Sequence, residues 1–297
     1  MTATAKDALK LRLSPLRRPS GAFAMLAVDQ REALRKMLAE HRPGPVSDAD
    51  LQDFKLTTTR ILSPQASAVL IDRQFALEAA IEHEVVAGLC GLIASADHFE
   101  TAHGELVGEV TIDRLIDPDS LRERGVVALK LLVLYRPDQP ASERTDMVRE
   151  FIHICEEAGL ASIIEPVSRR PLNGGDWDWN EGVLAAAEEL GSLGADLYKG
   201  EVPFHGKSTE QDLRAAYRAM NRAIRSEWVV LSSGVDQEVF PSAVQIACEE
   251  GASGFLAGRA VWEASLSAPH IDKDLKKNAA QRLERLIGIV DAAVKHP

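Results

Sequence analysis

Four charged residues interrupt stretches that are otherwise apolar: Asp29 after AMLAV, Lys130 in ALKLLVLY, Glu165 in SIIEPV and Lys199 in ADLYKG. A charge inside a buried strand costs on the order of several kcal/mol unless it is paired, so any one of them alone could be half of a structural ion pair. Two lysines and two carboxylates together suit a division of labour. An amine attacks a ketone only when neutral, and lysine is ordinarily protonated near pH 7. A neighbouring ammonium and desolvation both favour the free amine, and Lys130 is placed to supply that field to Lys199. Glu165 can move protons as a carbinolamine loses water, and Asp29 can accept a hydroxyl proton as a carbon–carbon bond breaks. The electrons then rest in an eneamine. The expected chemistry is a Schiff-base retro-aldol reaction with Lys199 as nucleophile.

A second constellation reads as an anion handle. Ser232-Ser233-Gly234 and Gly258-Arg259 each close an apolar run. Glycines expose backbone N–H groups, a following helix offers its N-terminus, and a guanidinium adds bidentate charge. Either sequence alone marks little more than a tight turn; as a pair they point to a phosphate. Gln30 and Arg31, just past Asp29, are further candidate substrate contacts. Arg31 or Arg73 can reach the distal end of a substrate, and either reads equally as a surface or helix-start charge.

The elements that must position these residues alternate regularly. Apolar runs at Gly21–Asp29, Ala66–Asp72, Cys90–Asp97, Val126–Tyr135, Ala161–Val167, Asp196–Val202, Val229–Asp236 and Gly254–Val261 suit parallel strands buried on both faces. Amphipathic stretches such as Glu143–Ala158 and Gln211–Ile224 lie between them. Ser47 or Asp48 and Ser208 are candidate N-caps, and Gly159 and Gly251 candidate C-caps. Eight strand-and-helix units predict the α/β class and a closed (β/α)8 TIM barrel, whose active site forms at the C-terminal strand ends. The 297 residues fit one barrel of roughly 250 residues plus trimmings. Residues 1–20 read as a partly ordered extension and 21–297 as the catalytic domain. A short strand is expected at Val110–Asp113. The Arg169–Trp179 segment reads as a long loop over the site, in which Trp177 and Trp179 can shield a sugar or simply pack.

Composition narrows the partners. Lys and Arg total 34 against 45 Asp and Glu, a formal net charge of −11, which argues against a nucleic-acid binder. A locally basic pocket for a small anion remains compatible with that balance. Cys90, Cys155 and Cys248 form no CxxC, as expected of reduced thiols in the cytosol. The charged N-terminus, with Lys6, Asp7 and Lys10, reads as neither signal peptide nor membrane span. The eight histidines show no paired spacing, so no metal is expected.

Several segments resemble the class I tagatose-1,6-bisphosphate aldolase family: AMLAVDQRE at 24–32, ALKLLVLYR at 128–136, SIIEPV at 162–167, ADLYKGEVP at 195–203, LSSGVD at 231–236 and ASGFLAGRAVW at 252–262. Together with SPQASAVLIDRQF at 63–75, the last run is also similar to the sulfofructosephosphate aldolase branch of that family. The resemblance runs from about Ser20 to the last helix. It implies a Schiff-base lysine at Lys199, the glutamate at Glu165, the aspartate at Asp29 and the second lysine at Lys130. It places the phosphate of the dihydroxyacetone phosphate half at Ser233, Gly234, Gly258 and Arg259. It also implies a cytoplasmic homo-oligomer without cofactor, an oligomer that the acidic surface and the stretch Lys273–Val294 permit. The implied substrate is 6-deoxy-6-sulfofructose 1-phosphate, a sugar phosphate bearing a second anionic group. Tagatose or fructose bisphosphate is the alternative within the family; a non-catalytic regulator on this scaffold, or another phosphate-binding barrel, lies outside it. One departure stands out: Gly200 occupies a place where the family carries a bulky apolar residue, which predicts a wider barrel near the nucleophile or altered packing beneath it.

Overall fold

Residues 11–294 are described by the structure, a computed structural model. Each apolar run becomes a strand: β1 (Phe23–Ala27), β2 (Ala68–Ile71), β3 (Gly91–Ser95), β6 (Val126–Tyr135), β7 (Ala161–Ser168), β8 (Leu197–Gly200), β9 (Glu227–Val230) and β10 (Gly254–Ala257). They close a parallel barrel in the order β1-β10-β9-β8-β7-β6-β3-β2, one domain with helices outside. Alternate residues face opposite sides of a strand, and this parity organises the interior. Phe23, Met25, Leu70, Ile93, Ala128, Ile163, Leu197, Val229 and Leu256 pack together inside the barrel. Their neighbours in sequence, such as Leu26, Val69, Leu129, Ile164, Tyr198 and Phe255, pack against the helices.

Several strands stop short of the apolar runs, and the extra residues are informative. Asp29, Asp72 and Asp97 follow the ends of β1, β2 and β3, while the last run breaks after Ala257 and Arg259–Trp262 turns helical. The expected excursion after β3 is a full antiparallel hairpin, β4 (Asp97–Ala102) and β5 (Glu105–Ile112). Its tip, His103-Gly104, has positive φ at both residues (55° and 74°), as a tight right-twisting hairpin turn demands. Val107 and Val110 fold this hairpin onto Leu132, Leu134, Val167 and Leu231 at the C-terminal mouth of the barrel.

The opposite mouth is plugged by the segment just before β1. Leu13 and Leu16 are fully buried in the interior cluster with Phe23 and Met25. Ion pairs Arg12–Asp196, Arg17–Glu227 and Arg18–Asp291 tie the segment down. Residues 11–20 therefore pack as part of the barrel; Lys6, Asp7 and Lys10, and the rest of 1–10, lie outside the described residues.

Capping follows side-chain chemistry. Ser47 and Asp50 form a reciprocal capping box on the helix Asp48–Leu62. Thr209, not Ser208, caps the helix Glu210–Ala223, because its hydroxyl accepts from the Asp212 N–H. Gly159 ends the helix Ala141–Ala158 in the left-handed conformation at φ 69°. The last stretch is Ile271–Asp274, a π turn at Leu275–Ala279 and the helix Ala280–Ala293. No helix among the described residues is long and apolar enough to cross a membrane.

Candidate active site

The inward parity that packs Ala128, Ile163 and Leu197 in the barrel interior continues to Lys130, Glu165 and Lys199 two residues on. All three side chains meet. Lys199 Nζ lies 3.0 Å from Glu165 Oε1, and the other oxygen of Glu165 lies 3.1 Å from Lys130 Nζ. Lys130 is fully buried and also contacts Asp29 at 2.8 Å and Asp97 at 2.7 Å. Asp97 is fixed in turn: it accepts from the Leu132 N–H at 3.0 Å and from Arg31 at 2.7 Å, while Arg31 stacks on Phe99 at 4.1 Å.

Three carboxylates thus face three cations. Burial alone would push the Asp29 carboxyl up, but Lys130 and then Lys199 outweigh it and hold it well below the usual carboxylate range. Burial would likewise discharge Lys130, yet Asp29, Asp97 and Glu165 hold its ammonium well above the ordinary lysine range. Lys130 is a fixed charge neutralised by its own shell, so its field reaches Lys199 only together with that of Glu165, which touches both.

Lys199 and Glu165 open into a cavity of about 530 Å³ at the C-terminal mouth. Asp29, Gln30, Arg31, Ser232, Ser233, Gly258 and Arg259 line it as well. Arg259 donates to the Ser233 hydroxyl, and the Ala260 N–H points to Ser232 Oγ at 3.4 Å. Gly258 approaches β1 so closely that a Cβ would run into the Ala27 carbonyl. The helix offered after it, Arg259–Trp262, is a single turn.

Other sequence candidates are placed elsewhere. Lys130 sits beneath the cavity wall. Gly234 turns away at φ 73°, with the space of its missing Cβ taken by His205. Arg73 pairs with Asp113 at 2.6 Å outside the cavity. Trp177 and Trp179 pack edge to face, and Trp179 covers His205 at 4.2 Å; neither lines the cavity. Gly200 faces the helix layer, where a Cβ would come 2.8 Å from Met220 Cε. The missing volume is filled by Met220 and Tyr198, so the barrel is not widened at Lys199. The three cysteines are buried and free, and burial pushes Cys90 and Cys248 up to about 12.

Four site residues escaped the sequence reading. Asp97 closes the third run as Asp29 closes the first, a parallel that could have exposed it. Glu201 shares the parity of Lys199 and is buried, accepting the Ser168 N–H at 2.7 Å. Burial pushes its carboxyl up to about 8. Glu105 and Arg169 both line the cavity, and only the hairpin fold brings them together.

Comparison with known proteins bears on the family and the fold. The family model described as DeoC/LacD family aldolase matches residues 23–264. A tagatose 1,6-diphosphate aldolase from Listeria monocytogenes is 29% identical over 277 residues, covering 84% of this chain and 80% of that one. Tagatose 1,6-diphosphate aldolase 1 from Enterococcus faecalis is 27% identical, covering 82% and 80%. Among solved structures, an archaeal fructose 1,6-bisphosphate aldolase superposes with a TM-score of 0.66 at 16% identity, covering 96% of this chain and 99% of that chain.

Proposed function

Because the chain belongs to the DeoC/LacD family of aldolases, we propose that it is a class I aldolase that cleaves a ketose 1-phosphate through a Schiff base on Lys199. The observation that carries this reading is the 3.0 Å pairing of Lys199 with Glu165, Lys199 being the one lysine among the described residues lining the cavity. A buried amine beside a carboxylate has its proton acceptor already in place.

The free amine of Lys199 adds to the C2 carbonyl, and Glu165 returns a proton to the oxygen so that it leaves as water. The iminium then draws the electrons of the C3–C4 bond into an eneamine. Asp29, held ionised by Lys130, accepts the C4 hydroxyl proton as the aldehyde forms. Protonation of the eneamine and addition of water release dihydroxyacetone phosphate and the free lysine. Ser232, Ser233, Gly258 and Arg259 hold the 1-phosphate with two hydroxyls and a guanidinium that donates to Ser233.

For the other half of the substrate we favour 6-deoxy-6-sulfofructose 1-phosphate, which would release 3-sulfolactaldehyde. Arg169 supplies a cation on the far rim of the cavity, and the neighbouring Glu105 offsets part of it, which suits a singly charged group. Tagatose 1,6-bisphosphate is the second reading, favoured by the names of the relatives. Borohydride added during turnover, followed by peptide mapping, tests both. The expected adduct is a dihydroxyacetone phosphate fragment on Lys199 from the sulfosugar, lost in Lys199→Ala. An adduct from the bisphosphate alone overturns the substrate; none from either overturns the mechanism.

A further inference from the structure

We propose that Glu105, on the hairpin over the barrel mouth, is a specificity-determining residue that fixes how much negative charge the site accepts at the far end of the substrate. This deepens the ketose 1-phosphate reading and rests on it. Glu105 follows the His103-Gly104 tip, so the hairpin carries it from the end of β3 across to the ends of β6 and β7. There its carboxylate lies 3.0 Å from an Arg136 terminal nitrogen and 3.6 Å from Arg169 Nε.

The two arginines differ in a way that explains the arrangement. Arg136 is 1% exposed; one terminal nitrogen donates to the Arg170 carbonyl, while its Nε and the other terminal nitrogen make no hydrogen bond, so that its contact with Glu105 is ionic. A guanidinium does not discharge on burial, so it needs an anion, and Glu105 is the carboxylate within reach. Arg169 lines the cavity and leaves 30% of its side chain open. The far rim therefore presents one guanidinium, Arg169, beside a carboxylate that also faces the buried Arg136 behind it, a net single positive charge over the three groups. A sulfonate carries one negative charge, whereas a phosphate monoester carries about −1.5 to −2 at pH 7. The sulfonate matches the rim; the phosphate would bring excess charge against Glu105. The near end differs, because Arg259 donates to the Ser233 hydroxyl rather than to a carboxylate.

The test is equilibrium binding, with Lys199→Ala in every protein so that no sugar is consumed. Three probes are titrated: 6-deoxy-6-sulfofructose 1-phosphate, tagatose 1,6-bisphosphate, and fructose 1-phosphate, which lacks a distal anion. Glu105→Gln keeps the shape and removes the charge. It should raise affinity for the bisphosphate relative to the sulfosugar at least about tenfold, the scale of one added charge contact at a partly exposed site, and leave fructose 1-phosphate unchanged. An unchanged ratio, or equal losses for all three probes, would show a structural clamp and overturn the proposal. Arg169→Gln provides the second arm: both doubly anionic sugars should weaken and fructose 1-phosphate should not. Equal weakening of all three sugars in that variant, or no weakening of the two doubly anionic ones, also overturns it. Since binding is read without turnover, failure here is distinct from failure of borohydride trapping, which alone tests the Schiff base.

Discussion

Two layers of side chains fill this barrel about 7 Å apart, the length of one strand pleat, and they are stabilised on opposite terms. The lower layer, with Met25, Leu70, Ile93, Ile163, Leu197 and Leu256, is apolar and sealed from below by Leu13 and Leu16. The upper layer holds Asp29, Asp97, Lys130, Glu165 and Lys199 on the same strands or just past their ends. Burial of area stabilises the first, and each member contributes nearly on its own. Charge matching holds the second, so no member can be removed without stranding others. The backbone is shared; only the residue type at the inward positions changes. The barrel thus puts a stability core and the proposed reaction centre within one pleat of each other.

Unbalancing the upper layer should have the larger effect. Lys130→Met leaves Asp29, Asp97 and Glu165 facing one another, and the cations Arg31, Lys199 and Lys55 make too few contacts with them to replace the ammonium at their centre. We expect a stability loss of about 3–5 kcal/mol by denaturant titration and a fall in kcat of at least about a hundredfold. A variant as stable and active as the parent would dissolve the distinction between the layers.

The lower layer should respond in stability alone. Leu70 is fully buried and does not line the cavity. Leu70→Ala should cost about 2–5 kcal/mol by the same titration, with kcat of the folded fraction unchanged. A matching fall in kcat would mean that packing below sets the geometry above.

What the sequence revealed follows from the same parity. Runs of buried apolar residues mark parallel strands on their own, and a charge at inward parity inside such a run, as at Lys130, Glu165 and Lys199, has few places to go. Asp97 carries the same signal but stands at the end of its run, where a terminal charge usually meets solvent. Glu105, Arg136 and Arg169 are separated by 31 or more positions, as their numbers show, and they meet only because the hairpin bends over the mouth; no local pattern encodes that reach. Gly200 follows the same rule: inward and outward residues alternate, so the position next to Lys199 faces the helices, which fits altered packing there rather than a wider barrel.

The smallest expected effect tests whether the upper layer contains a member held outside the charge balance. Glu201 shares the parity of Lys199, is buried, and accepts one backbone N–H. Burial raises its carboxyl from an ordinary 4.5 to about 8, with Glu165 adding to the rise while Arg169 and Arg259 oppose it. The folded chain therefore keeps a proton that the unfolded chain releases. Its contribution to stability is fully present below about pH 4.5 and is lost as pH climbs through about 8. Glu201→Gln keeps an acceptor for the Ser168 N–H and cannot ionise. Its melting temperature should match the parent at pH 4.5 and exceed it by on the order of a few degrees at pH 9. Because every other titrating group is common to both proteins, the difference between their profiles isolates this one. Parallel profiles would mean that Glu201 ionises freely in the fold, and that the upper layer carries a fourth carboxylate charge rather than a neutral neighbour.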